Sequence, residues 1–335
     1  MMGLFGKKDR IICPRCLGEV RVDSKKPAEM VCPTCKYVIP LVYVRDYAKA
    51  LPVYIQMFGW SQTGKSTFLD VLRLHLYSME NVWRRSFAEP VAEIDFEHRR
   101  ILLTERNEGK PPGANVKKTR DQTEVYLMKL NDMERWNSRF LVIMDHAGEL
   151  FETFSVPVNE IPFLKSTPTA IMLISLPDML GKGRTFVDVI TVYKNALERY
   201  GVNFIKERRR LIIVLAKADL ISNLPANLNE YLQSDDLGTI LPPEGARFSL
   251  EGIVLAEYLE RMGRVSDALR DWIDNKVEGG RAGLRMLEKN NIDARFVVMS
   301  SIGQDLRNTT GMVRLAPRRV LDPFFWALEF QSRER

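Results

Sequence analysis

A chain of 335 residues, 45% hydrophobic and 27% charged, has the composition of an ordinary globular protein, with room for one large core and a small accessory unit. Its longest uncharged apolar runs, Leu211 to Ala216 and Phe140 to Met144, fall far short of the ~20 residues of a membrane-spanning helix, and Met1 to Arg10 has no apolar core or cleavage site behind its charges. A membrane span and wholesale disorder are thereby excluded, a cytoplasmic protein is expected, and a net charge of +6 does not by itself mark a nucleic-acid binder.

All four cysteines stand near the start, as Cys13-Pro14-Arg15-Cys16 and Cys32-Pro33-Thr34-Cys35. Two residues between paired thiolates let each short turn aim both sulfurs at one ion, and two such turns supply four tetrahedral ligands. The spacing predicts a zinc ribbon over residues 1–45, with Glu19 to Val22 and Tyr37 to Val44 as the strands of a hairpin. Two disulfides, disfavoured in a cytosolic chain, and an iron site of the rubredoxin type are the alternatives. Four thiolates leave no open coordination position, so Zn²⁺ here is expected to be structural. The ribbon's surface is expected to meet a partner, either protein or nucleic acid.

Residues 46–335 read as one larger unit. It opens on a β-rich run, Val53 to Phe58, followed by Gly59-Trp60-Ser61-Gln62-Thr63-Gly64-Lys65-Ser66-Thr67 and then a helical pattern of apolar residues. This is G-x-x-x-x-G-K-[ST] between a strand and a helix, the Walker A phosphate-binding loop. Its backbone N–H groups and the helix N-terminus surround phosphates, and Gly59 and Gly64 keep the backbone close to them. Lys65 reaches the β- and γ-phosphates, Ser66 is a ligand of Mg²⁺, and Thr67 assists at the α-phosphate.

Further along come a charged helical stretch, Glu93 to Glu108, a Gly/Pro-rich segment, Gly109 to Gly113, and a strand, Val125 to Leu130. The buried-strand candidate Phe140 to Met144 runs into Asp145-His146-Ala147-Gly148-Glu149, where the aspartate suits Mg²⁺. Apolar strands Ala170 to Leu176 and Leu211 to Leu215 follow, the second leading into Ala216-Lys217-Ala218-Asp219. An insertion, 221–291, carries a helical stripe from Leu255 to Ile273. The last strand, Phe296 to Met299, runs into Ser300-Ser301-Ile302-Gly303, and Asp322-Pro323 should cap and start a closing helix rich in aromatics. The basic clusters Lys206 with Arg208 to Arg210, and Arg314 with Arg318 and Arg319, read as solvated helix ends.

Taken in order over residues 53–303, these segments resemble the motifs of the translation-factor-related class of P-loop GTPases that includes Ras. Asp145-x-x-Gly148 resembles D-x-x-G, whose glycine senses the γ-phosphate; Ala216 to Asp219 resembles N/T-K-x-D, whose aspartate reads guanine; Ser300-Ser301 resembles the serine loop that contacts the base. The closing run Arg319 to Trp326 resembles a segment of bacterial GTPases of the double-GTPase group, some of which carry zinc ribbons.

The resemblance implies an α/β fold, the P-loop NTPase three-layer sandwich with a mostly parallel sheet and one strand antiparallel beside the Asp145 strand, plus the N-terminal zinc ribbon. It implies GTP/GDP and Mg²⁺ as ligands, with Thr119 or Thr123 as the switch threonine on the metal. Glu149 stands where Ras-like proteins carry the glutamine that orients the attacking water, so hydrolysis is expected to be slow without a partner. Gln62 and His146 are the alternative helpers, and a protein effector or a GTPase-activating partner supplying an arginine is implied. Ala216 departs from the motif by removing a polar side chain that ties the base loop to the phosphate loop. That leaves Asp219 as the main guanine determinant, with an ATPase as the weaker alternative. A nucleotide-binding interaction module with vestigial hydrolysis is the competing reading of the whole.

Overall fold

A computed structural model of the chain describes residues 10–22, 30–83, 85–91, 93–107, 110, 124–158, 160–181, 183–240, 253–303 and 316–332. At the N-terminus β1 (Arg10–Ile12) pairs with β2 (Glu19–Arg21), and β3 (Met30–Val31) pairs with β4 (Val38–Ile39), both antiparallel. The expected single hairpin is thus corrected to two. Each Cys-x2-Cys turn reverses its own chain: the Cys13 N–H donates to Gly18 O and the Cys32 N–H to Tyr37 O, both at 2.9 Å. Leu17 and Lys36 close the turns in left-handed conformation, with φ of 58° and 59°. After Pro40 the chain is helical, α1 (Leu41–Asp46), so the strand expected to reach Val44 stops at Ile39.

The larger unit then runs β5 (Pro52–Gly59), α2 (Lys65–Tyr77), β6 (Phe87–Pro90), α3 (Glu93–Asn107), β7 (Glu124–Met133), β8 (Asn137–Ala147), α4 (Gly148–Glu152), α5 (Ile161–Ser166) and β9 (Thr169–Ser175). It continues through α6 (Leu176–Leu180), α7 (Phe186–Arg199), β10 (Arg209–Ala216), α8 (Ala226–Gln233), α9 (Leu255–Lys276), α10 (Gly280–Lys289), β11 (Ile292–Val298) and α11 (Asp322–Ser332). Seven strands form one sheet in the order β11-β10-β9-β5-β8-β7-β6. Five of them are parallel, while β7 runs antiparallel to β8 and β6 antiparallel to β7.

The apolar runs are strands because they are buried on both faces, as parallel strands covered by helices must be. Every residue of β9 is buried. On one face Val53, Ile55, Leu141 and Ile143 pack against Leu69 and Leu72 of α2 and Phe324 and Phe325 of α11. On the other, Met172, Ile213 and Leu215 meet Ile190 and Tyr193 of α7 and Leu284 and Leu287 of α10. This is the expected three-layer α/β arrangement. The described part of the 221–291 insertion is helical, and α9 packs its stripe inward through Tyr258, Met262, Leu269 and Ile273.

Two expectations about charge are corrected. Arg209 is buried, donating to Thr167 O at 2.9 Å and Lys165 O at 2.6 Å, and so ties β10 to the end of α5. Arg319 is also buried, donating to Tyr231 O at 2.8 Å and Ser234 O at 3.0 Å, with its guanidinium 3.6 Å from the centre of the Tyr231 ring. Asp322 stands within α11, and its carboxylate accepts hydrogen bonds from the hydroxyls of Tyr231 and Tyr258, each at 2.6 Å. These buried groups draw their hydrogen bonds from backbone carbonyls and tyrosines far away in sequence, which offsets much of the cost of burying them.

The ribbon packs directly on the sheet. Ile11, Val20, Met30 and Ile39 share a core with Phe140, Val142 and Met144 of β8, and Tyr43 of α1 lies between them, fully buried. The Tyr43 hydroxyl donates to Ile12 O at 2.9 Å and its ring lies 4.8 Å from that of Phe140. One tyrosine therefore joins β1 of the ribbon to the Asp145 strand.

Candidate functional site

Because β5, β8, β9, β10 and β11 are parallel, their C-terminal ends open onto a single edge of the sheet, the usual place for a ligand in such folds. β5 ends at Gly59, β8 at Ala147, β9 at Ser175 and β10 at Ala216. The phosphate loop leaves β5 with Gln62 (φ 66°) and Gly64 (φ 88°) in left-handed conformation, the kind of backbone that gathers N–H groups into an anion-binding concavity. A Cβ on Gly59 would lie 2.9 Å from Thr63 Oγ1 and 3.1 Å from Leu173 O, so only glycine fits there. Thr63 Oγ1 donates to Trp60 O at 2.9 Å and holds the turn closed.

Lys65 is the first residue of α2, with Ser66 and Thr67 behind it. Its Nζ lies 2.5 Å from His146 O and 3.0 Å from Asp145 Oδ1, which brings the loop lysine and the aspartate together. Ser66 lies on the first turn of α2 and the Asp145 carboxylate is paired to the neighbouring Lys65; hydroxyl and carboxylate oxygens are the donors that a hard divalent cation takes. Gly148 sits so close to the loop that a Cβ there would meet Trp60 N at 3.0 Å and Gly59 C at 3.1 Å. Glu149 Oε1 accepts the Ser61 N–H at 2.7 Å. The His146 imidazole, by contrast, is fully buried, 3.2 Å from Glu160 and edge-on to Phe151, on the core side of β8. Glu149 and Gln62 therefore stand at the loop, whereas His146 meets it only through its carbonyl and turns its imidazole away.

At the other end of the edge, Lys217 adopts a left-handed conformation (φ 59°) and opens the short turn Ala218–Leu220. Its Cε lies 4.0 Å from the position of a Cβ on Gly64, so its alkyl stem passes over the phosphate loop. The Ala218 N–H donates to Met299 O at 3.1 Å, and Ser300 Oγ accepts the Gly303 N–H at 2.8 Å, which sets the two base-side loops against each other. A cleft of about 450 Å³, within the usual range for small-molecule sites, is lined by Gln62, Thr63, Gly64, Thr67, Lys217, Asp219, Ser300 and Ser301. Thr119 and Thr123 lie outside the described residues.

Several site residues have no signature in the sequence. Ser175, Pro177 and Asp178 also line the cleft. The only available signal was that Ser175 is a polar residue closing a buried parallel strand, at the ligand-facing end. Glu152 accepts Trp60 Nε1 at 2.6 Å and pairs with Arg184 at 2.5 Å, while the Arg184 guanidinium lies 5.4 Å from the centre of the Trp60 ring. These three residues come from three separate segments, and nothing local predicts their meeting.

In the ribbon, the four cysteine sulfurs lie within 4.8 Å of one another, with Cys13 to Cys35 at 3.7 Å and Cys16 to Cys32 at 3.6 Å. A tetrahedral zinc with bonds of about 2.3 Å sets its sulfurs about 3.8 Å apart, whereas a disulfide needs about 2.0 Å. The cluster fits one metal ion, and all four cysteines are free of disulfides. Burial raises the Cys13 and Cys16 thiols, the latter to about 11, although backbone N–H groups pull the other way. A bound cation is what would make thiolates of them.

No helix among the described residues is long and apolar enough to cross a membrane. Among curated proteins none matches the chain. Among solved structures it is similar to the signal recognition particle receptor SRb-GTP/SRX complex from Chaetomium thermophilum, with 12% identity over 84% of this chain and 98% of that one and a TM-score of 0.39. It is similar also to a GTP-binding protein from the archaeon Sulfolobus solfataricus in complex with GDP, with 10% identity over 87% of this chain and 57% of that one and a TM-score of 0.31. The S. cerevisiae Ski7 GTPase-like domain, bound to GDP and inorganic phosphate, shares 12% identity over 86% of this chain and 52% of its own, with a TM-score of 0.33. At these identities the likeness concerns the fold alone. The family model described as Double-GTPase 2 matches residues 53–253, more than half of the 335-residue chain, and the chain belongs to that P-loop GTPase family.

Proposed function

We propose that the chain binds GTP and GDP in the cleft at the sheet edge and hydrolyses the γ-phosphate of GTP, acting as a slow molecular switch. The observation that carries this reading is the shared cleft, in which Gln62, Thr63, Gly64 and Thr67 line one wall together with Lys217, Asp219, Ser300 and Ser301. An aspartate at Asp219 accepts two hydrogen bonds from the guanine ring N–H and amino group, a pair that adenine does not offer, and Lys217 lays its stem along the base. A wrong base leaves the carboxylate unpaired, so discrimination is large.

Hydrolysis is in-line attack of water on the γ-phosphorus, with the bond to the β–γ bridging oxygen breaking and GDP leaving with that oxygen. Lys65 and the loop N–H groups stabilise the charge that shifts toward the bridging oxygen. Ser66 and Asp145 would hold Mg²⁺, with Thr119 or Thr123 joining them, and the ion would offset the charge of the β- and γ-phosphates. Gly148 is placed against Trp60 and Gly59, so its N–H is the sensor whose contact is lost with the phosphate. The four cysteines hold a structural zinc, and the ribbon recruits a protein or nucleic-acid partner in the cytoplasm.

A second reading, an interaction module with vestigial hydrolysis, is favoured by one contact. The Glu149 carboxylate at the water-orienting position is engaged by the Ser61 N–H. Affinity for GTP, GDP and ATP measured side by side tests the central claim: guanine nucleotides should bind at least tenfold tighter, and equal or stronger binding of ATP would refute it. Turnover with Mg²⁺ then separates the two readings.

A further inference from the structure

The motif side chain that is missing at Ala216 has a substitute one strand away. In the parallel ladder of β9 with β10, the residue opposite Ala216 is Ser175. Ser175 is 3% exposed, and its hydroxyl has no hydrogen-bond partner among the described residues. It nevertheless lines the cleft together with Thr63, Gly64, Ala216 and Lys217. Two residues earlier on the same strand, Leu173 pairs with Gly59, and its carbonyl lies 3.1 Å from the position of a Cβ there. β9 thus touches the phosphate loop with Leu173 and stands beside the base loop with Ser175. The hydroxyls of Thr167 and Thr169, toward the other end of the strand, are also unpartnered among the described residues but do not line this cleft.

Leaving a buried hydroxyl without a partner is costly, and Ser175, unlike Thr167 and Thr169, lines the cleft, where loops closing around a ligand would supply one. We propose that Ser175 is a positioning residue of the nucleotide site. In the guanine-nucleotide complex its hydroxyl hydrogen-bonds between the phosphate loop near Thr63 and the base loop at Ala216–Lys217, doing the work of the absent asparagine or threonine. It thereby holds Asp219 in register with the guanine edge. The inference rests on the guanine-nucleotide reading of the cleft.

The test uses the full chain with Ser175→Ala, Ser175→Thr and Ser175→Val, GDP and ADP titrated calorimetrically, and unfolding followed without nucleotide. Thr and Val have nearly the same shape, so any strain from the added bulk is common to both and their difference isolates the hydroxyl. One net hydrogen bond corresponds to roughly a fivefold to tenfold change in affinity. Ser175→Ala and Ser175→Val should lose that much GDP affinity and narrow the preference for GDP over ADP, while Ser175→Thr should bind GDP about fivefold to tenfold more tightly than Ser175→Val. Without nucleotide, Ser175→Ala should unfold no earlier than the parent, because it removes an unpaired buried group. Equal GDP affinity of the Thr and Val variants overturns the proposal. If Asp219→Asn lowers GDP binding in the same assay while those two remain equal, the guanine reading stands and only the role of Ser175 falls. If Asp219→Asn leaves GDP binding unchanged, the guanine reading falls and takes this inference with it.

Discussion

The Glu149 carboxylate accepts a hydrogen bond from the Ser61 N–H at 2.7 Å, which sets an acidic side chain of α4 on one of the amides that a phosphate loop offers to its ligand. Loop amides and a helix N-terminus favour anions, and an internal carboxylate competes with a phosphate for them. With the γ-phosphate bound beside Glu149, as proposed, the competition should fall most heavily on GTP, which brings additional negative charge there. Glu149→Gln keeps an acceptor for the Ser61 N–H and removes the charge. Its GTP-to-GDP affinity ratio should rise about fivefold, the size of a partly screened contact between like charges. Single-turnover hydrolysis should rise in the same variant, since glutamine orients water without repelling the phosphate. A ratio unchanged from the parent would place Glu149 away from the γ-phosphate.

A second acid on α4 steadies the same loop. Glu152 holds the Trp60 indole N–H and is itself held by Arg184. Removing its charge frees both partners, and Trp60 belongs to the loop that must close on phosphate. Glu152→Ala should speed GDP release about threefold to tenfold, in keeping with the roughly 0.5–1.5 kcal/mol net of one partly screened hydrogen bond. Arg184→Ala should have a smaller effect in the same direction, because Trp60 keeps its bond to Glu152. Stopped-flow release of a fluorescent GDP analogue measures both. Equal release from the parent and Glu152→Ala would mean that the Trp60 contact does not control the loop.

In the ribbon the prediction concerns metal. The chain as purified should carry one zinc per molecule, and Cys32→Ser should reduce this below half. Cys13, Cys16 and Cys32 belong to the core that also holds Tyr43 and Phe140, so stripping the metal should loosen residues 10–39 down to the surface of β8. Metal-free ribbons of this kind do not stay folded. Limited proteolysis after strong chelation should cut within the first 45 residues while GDP binding persists in the remainder. Loss of GDP binding along with the ribbon would show that the sheet depends on it.

The parts of this architecture that the sequence discloses are those whose physics is local. Gly59 to Thr67 is contiguous, so one motif announces the loop, its lysine and its helix. The parallel strands announce themselves as apolar runs because helices cover both their faces. Arg209 and Arg319 read as solvated because the carbonyls that bury them, at Lys165, Thr167, Tyr231 and Ser234, lie in other segments. The ribbon's two hairpins were hidden for a different reason: the left-handed residues that close its turns, Leu17 and Lys36, are not of the types that advertise such a conformation. Ser175 had no motif of its own and acquires meaning only from lying opposite Ala216.

The closing helix carries a pH dependence that can be signed. Asp322 is fully buried; burial raises its carboxyl to about 6, against the downward pull of Arg319, with Asp235 raising it further and the hydroxyls of Tyr231 and Tyr258 lowering it. In the unfolded chain an aspartate titrates near 3.9, so between about pH 4 and pH 6 the folded state holds a proton that the unfolded state has released. Stability from this group is therefore fully present below the unfolded value and is lost as pH rises through the folded one, by about 1 to 3 kcal/mol. Asp322→Asn cannot lose a proton and still offers an oxygen to one tyrosine. Its unfolding free energy relative to the parent, measured by denaturant titration, should therefore shift in the variant's favour by that amount between pH 4 and pH 7. A difference between the two chains that stays constant over this range would mean that Asp322 is already ionised in the folded protein at pH 4, with Arg319 outweighing burial.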